Sequence, residues 1–185
     1  MQPRGPPAPA DEEGPLDGET HARVLDHQNS GVVQGITEKG LYLIRMRIPA
    51  GGSAQAPGSR LSFEGGGEAN LLGQTRHRDL SVMAQTELNE VVKGILTDLP
   101  ESSLSFYNRA GNLTLKKHAF TLLPGIGDSK ATSMVELRGR TGWDTLEALD
   151  EACQIDCAGL LSERLCAEIV DRHMTPSLLD HLIRA

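Results

Sequence analysis

The sequence is poor in aromatic residues, with one Trp, two Tyr and three Phe among 185 positions. Residues 31–80 therefore offer no obvious platform on which bases would stack. Cysteine is equally scarce. Cys153, Cys157 and Cys166 are odd in number and confined to the last quarter, which excludes a disulfide framework. A zinc site would need ligands beyond the Cys153/Cys157 pair, and only His173 lies near, so the cysteines read as small apolar fillers of helices in a reducing compartment. No apolar run reaches the roughly 20 residues that cross a bilayer. A charged-then-apolar leader is also missing, so a cytoplasmic protein without membrane partners is expected. Gly65-Gly66-Gly67 is not followed by Gly-Lys-Ser or Gly-Lys-Thr, which excludes a nucleotide-hydrolysing phosphate loop.

Glycine and acid are plentiful: 20 glycines, and 25 Asp plus Glu against 18 Lys plus Arg, a net charge of -7. Taken whole, that charge argues against a polyanionic partner, but it is unevenly spread. Residues 1–30 carry -4, residues 31–80 carry +2 and residues 81–111 carry -2. Within the C-terminal part, residues 112–143 carry +3 and the remainder -6.

Proline and acid crowd residues 1–22, with too little to bury, so this stretch is expected to be a disordered tail. Residues 23–80 read as a small β-barrel. Gly31–Ile36 and Gly40–Ile48 make a hairpin across Glu38-Lys39-Gly40. In the second strand Tyr42, Ile44, Met46 and Ile48 share one parity, and the opposite face ends on Arg45 and Arg47. Gly58–Glu64 is a further strand, and Gln74–Leu80, carrying Arg76 and Arg78, is expected to be the last.

From Ser81 the period lengthens. Leu88, Val91, Val92, Ile95, Leu96 and Leu99 mark an amphipathic helix capped by Ser81 and ended by Pro100. A short helix over Ser103–Ala110 completes a linking region, residues 81–111. Residues 112–185 are expected to be helical throughout. The first helix holds Leu113, Leu115, Ala119 and Leu122; others span Asp128–Arg138, Asp144–Ala152 (capped by Asp144 or Thr145) and Leu160–Asp171, and a tail helix is capped by Thr175.

Leu122-Leu123-Pro124-Gly125-Ile126-Gly127 joins the first two of these helices. Glycines two apart allow a tight reversal and leave backbone N–H groups exposed at the start of the next helix, where the dipole favours an anionic oxygen. Ile126 would anchor the turn, Lys130 could reach the same phosphate, and Lys116, Lys117, Arg138 and Arg140 add charge nearby. Arg45, Arg47, Arg76 and Arg78 form a second basic group on the barrel. Asp128 either caps the second helix or repels the phosphate.

This turn resembles a helix-hairpin-helix module, with Gly142-Trp143-Asp144-Thr145 as its continuation and Trp143 packed against it. In a wider frame, Arg76–Leu88, Phe106–Gly111 and Leu122–Gly127 follow the order of the archaeal DUF655 family, described as nucleotide- or nucleic-acid-binding. The resemblance spans roughly residues 23–172 and is strong around the hairpin. It implies an α+β chain in which an oligonucleotide-binding-like barrel precedes the hairpin domain. Genes of the family lie near ribosomal and RNA-processing genes, which favours RNA over DNA and ribosomal or RNA-processing proteins as partners.

The expected function is thus non-catalytic, cofactor-free binding of nucleic acid, phosphate-directed and weakly sequence-selective. Two other classes compete. A nuclease or DNA-repair enzyme would need clustered carboxylates or histidines, whereas Glu64, Glu68, His77 and Asp79 are scattered. A protein-interaction scaffold is motivated by an acidic face formed by Glu147, Asp150, Glu151, Asp156, Glu163, Glu168 and Asp171.

Overall fold

The computed structural model describes residues 14–65 and 67–184. They form an α+β fold, a curled antiparallel sheet followed by helices. The sheet comprises β1 (His21–His27), β2 (Val32–Thr37), β3 (Leu43–Arg47), β4 (Arg60–Ser62) and β5 (Asn70–Gln74), in the order β4-β1-β2-β3-β5. It is a half-barrel: β4 and β5 are its edges, bridged by one bond from the Ala69 N–H to the Ser62 carbonyl at 3.1 Å. The concave side is filled by Ala22, Val24, Val33, Ile44, Met46 and Leu61. Gly35 is needed at the middle of β2, because a Cβ there would sit 2.8 Å from the Arg23 carbonyl oxygen and 3.0 Å from Met46 Cε.

The convex side is covered at one end only. Leu25, Ile36, Leu41 and Leu43 join a larger core with α1 (Val82–Asp98), α2 (Glu101–Arg109), α3 (Asp128–Arg138), α4 (Leu146–Cys153) and α5 (Cys157–Val170). On the α1 face Leu88, Val91, Val92, Ile95 and Leu96 are buried as their spacing requires, whereas Leu99, expected with them, is the C-cap and is exposed. Ser81 ties helix to sheet: its hydroxyl accepts from the Ala84 N–H and donates to Asp26 (2.7 Å), while its own N–H donates to the buried Gln34 side chain (2.8 Å). Farther along β3, Arg45 and Arg47 project past the helices and are exposed.

Several expectations are corrected. Of the expected tail, residues 1–13 lie outside the described residues; Leu16 packs on the half-barrel core, and His21 and Ala22 open β1, a strand the sequence reading missed. The last strand of the sheet is not Gln74–Leu80 but β5, Asn70–Gln74, which precedes it. His77–Asp79 is a 3-10 turn, its Asp79 and Leu80 N–H groups bonded to the Arg76 and His77 carbonyls.

The helix expected from Leu113 is instead a hairpin of β6 (Asn112–Thr114) and β7 (Lys117–His118), followed by a 3-10 turn over Ala119–Leu122. The Thr114 hydroxyl accepts both the Lys116 and Lys117 N–H groups and closes that hairpin, and Leu113 and Leu115 face solvent. Thr145 caps α4, while Asp156 caps α5, which begins earlier than Leu160. The C-terminal turn spans Leu179–Ile183, with Ser177 and not Thr175 accepting the Asp180 N–H.

Candidate nucleic-acid interface

The glycine turn is a tight reversal. Its Ile126 N–H donates to the Leu123 carbonyl at 3.2 Å, and Gly125 between them has φ +73°. Pro124 then Gly125 is the order a type II turn selects, since the third position needs positive φ. Ile126 is buried, as its place between the glycines suggests. Gly127 is the N-cap of α3 and supplies no side chain, so the first-turn N–H groups have no side-chain cap. Asp128 therefore does not cap the helix. It occupies the first helical position, exposed, where its carboxylate suits the dipole but competes with any other anion.

Two of the cations assigned to this turn face inward. Lys130 Nζ donates to the Cys153 carbonyl, one of the orphan acceptors at the end of α4. The Arg138 guanidinium donates to the Ala110 carbonyl (2.7 Å) and the Tyr107 carbonyl (3.2 Å) at the end of α2, and lies 5.5 Å from the centre of the Phe120 ring. Both side chains staple α3 to its neighbours and are not free to meet a phosphate. Lys116, Lys117 and Arg140 remain exposed, with no ion pair among the described residues.

His118 belongs to the same internal scaffold. Its Nδ1 accepts from the Phe120 N–H (3.1 Å), so the ring nitrogen Nε2 carries the proton and donates to the Ala110 carbonyl (3.0 Å). Burial holds the imidazole below its ordinary value, with Arg138 adding to the effect against the pull of the Ala110 bond. The folded chain thus binds fewer protons here than the unfolded chain, so this contribution is complete above about pH 6.5 and is lost as pH falls through the lowered folded value. Urea midpoints measured from pH 7 to 5 should fall more steeply for the native chain than for His118→Gln. Parallel slopes would refute this role.

The other basic group behaves differently. Arg45 from β3, Arg76 from the loop after β5 and Arg172 just beyond α5 line one groove of about 740 Å³, together with Gln28, Gln34, Gln74, Thr75 and Asp79. Arg76 and Arg172 also border an adjoining groove with His77, Arg78 and His173. Arg47 faces a third, beside Asn29, Ser30 and Gly31 of the β1–β2 turn. Among the described residues Arg45, Arg47, Arg76 and Arg172 have no ion pair, and Arg78 has only a loose one to Asp79 at 3.9 Å. The fold therefore brings the four barrel arginines of the sequence reading onto neighbouring grooves and adds Arg172, which that reading missed inside an acidic C-terminal stretch.

No group of three or more His, Cys, Asp or Glu side chains is arranged to hold a metal among the described residues. Cys153 and Cys157 are buried and their thiols, like that of Cys166, are pushed up by burial, in the last case to about 12. They pack as neutral apolar groups at pH 7. Trp143 is buried, its backbone N–H and carbonyl clamped by the Asn108 amide at 2.9 and 2.8 Å. Glu168 is not part of an acidic surface; it is 2% exposed. No helix among the described residues is long and apolar enough to cross a membrane.

Residues 16–177 match a family described as a protein of unknown function, DUF655. The fold is similar to the crystal structure of Af1531 from the archaeon Archaeoglobus fulgidus, assigned to the same family. The TM-score is 0.78 at 22% identity, covering 87% of this chain and 99% of that one. No curated protein matches the chain.

Proposed function

This chain belongs to the DUF655 family, and we propose that it is a non-catalytic nucleic-acid-binding protein, directed to RNA and working with ribosomal or RNA-processing partners. The observation that carries this reading is the convergence of Arg45, Arg47, Arg76, Arg78 and Arg172 on adjoining grooves of a chain whose net charge is -7. Guanidinium groups that are unpaired, or at Arg78 only loosely paired, suit phosphates, and concave walls focus their field although the rest of the molecule is acidic.

The place on the fold agrees. A strand order of β4-β1-β2-β3-β5 with an open seam suits an oligonucleotide-binding barrel, whose ligand face lies on its second and third strands. Arg45 and Arg47 sit on that third strand. The uncapped start of α3, with the Leu123–Gly127 turn before it, supports a partial helix-hairpin-helix reading and a weaker, secondary phosphate contact flanked by Lys116, Lys117 and Arg140.

The test is a titration of the full chain against structured RNA at about 50 and 200 mM salt, where phosphate-directed affinity falls steeply. Arg45→Glu and Arg76→Glu should each weaken binding about tenfold and flatten the salt dependence by about one contact. Lys130→Met should leave binding unchanged. An unmodified chain that binds nothing at low salt would sink the proposal and favour the scaffold reading.

A further inference from the structure

The chemistry of the arginine face also selects a form of nucleic acid, an inference that rests on the proposed binding function. The Trp, Tyr and Phe rings are occupied elsewhere. Phe106, Tyr107, Phe120 and Trp143 lie in the main core. Phe63 and Tyr42 pack against the half-barrel core, and the Arg184 guanidinium covers the Tyr42 ring at 4.2 Å. These are all the Trp, Tyr and Phe of the chain, and none lines the groove of Arg45, Arg76 and Arg172. Proteins that hold single strands rely on such rings to stack successive bases.

The groove offers a different set of groups. Gln28, Gln74 and Thr75 line the same groove as its arginines, and none of their side chains is hydrogen-bonded to another described residue. Gln34, beside them, is engaged: its amide oxygen takes the Ser81 N–H and its nitrogen reaches the Asp79 carbonyl. A free carboxamide both donates and accepts, as does a ribose 2′-hydroxyl. Helical RNA keeps its bases stacked and presents 2′-hydroxyls and phosphates across a wide, shallow minor groove. Arg76 and Arg172 form a wall shared by two adjoining grooves, so cations face both sides of one ridge.

We infer that this face binds double-helical RNA through its ribose–phosphate backbone, with the Gln28 and Gln74 amides meeting 2′-hydroxyls between arginine-bound phosphates. The face accordingly tells RNA from DNA without reading base edges.

The experiment uses fluorescence anisotropy with the full chain and three probes: an RNA duplex of about 16 base pairs, a DNA duplex of the same sequence, and single-stranded oligouridine. The RNA duplex should bind about tenfold more tightly than either of the others. Replacing both Gln28 and Gln74 with alanine should bring RNA-duplex affinity down to the DNA level and leave DNA binding unchanged. Because these amides have no internal partners, thermal melting of that variant should match the parent and show that the fold is intact. Oligouridine binding as tightly as the RNA duplex would overturn the inference, as would an unchanged RNA-to-DNA ratio in the double variant. Either result leaves the nucleic-acid function standing. Failure of all three probes to bind would remove that function and the inference together.

Discussion

Replacing Glu168 with alanine is expected to cost about 3 to 5 kcal/mol of folding stability, although the side chain touches no candidate ligand groove with its carboxylate. That carboxylate is 2% exposed and fully engaged. One oxygen accepts from Arg164 Nε at 2.7 Å and from the Leu178 N–H at 3.0 Å; the other accepts from the Leu179 N–H at 2.8 Å and the Ser177 hydroxyl at 3.0 Å. Truncation would leave the Arg164 side chain, itself 11% exposed, without its partner and two buried backbone donors unpaired. It would also release the segment that seats Leu178 and Leu179 in the main core and carries Arg184 to the Gly40 and Leu41 carbonyls. Urea unfolding should show a large fall in midpoint. Glu168→Gln should lie between alanine and the native chain, because an amide keeps one acceptor but loses the charge. A loss below about 1 kcal/mol for alanine would mean that the carboxylate does not hold the C-terminal turn.

From the sequence alone Glu168 falls with the acidic residues of a surface. Its i,i+4 relation to Arg164 is visible in the chain, but such pairs usually lie on solvated helix faces. Burial came from residues 177–179, which no helical period announces. Lys130 and Arg138 misled in the same way. Their spacing around the glycine turn is consistent with phosphate ligands, yet long side chains choose partners by three-dimensional proximity, and here those partners are carbonyls at the ends of α4 and α2. Period alone also misread Leu113 to Leu122. Leu115, Ala119 and Leu122 recur at helix-like steps, but Leu113 and Leu115 are not buried, and the Thr114 hydroxyl favours a turn.

Where a pattern had one physical interpretation, it carried through. Five apolar positions on α1 could only be one buried face, and the parity of β3 separated Ile44 and Met46 from Arg45 and Arg47. That parity made Arg45 and Arg47 legible, and Arg76 and Arg78 were legible as basic positions although the strand expected to carry them is a loop and a 3-10 turn. Arg172 was not, because its contribution depends on α5 ending beside the loop after β5. The groove beside Arg45 is open because the helices cover Ile36 and Leu43 while Arg45 is exposed, an edge set by packing and not by local sequence.

Phe120→Ala is the second large expected effect, a loss of about 3 to 5 kcal/mol from a cavity under the glycine turn. Phe120 is fully buried, with ring centres of Phe106 at 6.0 Å, Tyr107 at 5.9 Å and His118 at 4.3 Å. The Arg138 guanidinium closes the other approach at 5.5 Å, while Leu123 and Ile126 belong to the same core. Removing the ring takes a cation–π contact from Arg138 as well as the apolar contacts around it. Phe120→Leu keeps most of the volume and should cost about 1 kcal/mol, leaving a folded chain for binding assays. Because the arginine groove draws its cations from β3, the loop after β5 and the residue beyond α5, Phe120→Leu should bind RNA as the native chain does. If it weakens RNA binding as much as Arg45→Glu while remaining folded, the principal phosphate contacts lie at the glycine turn and not on the sheet.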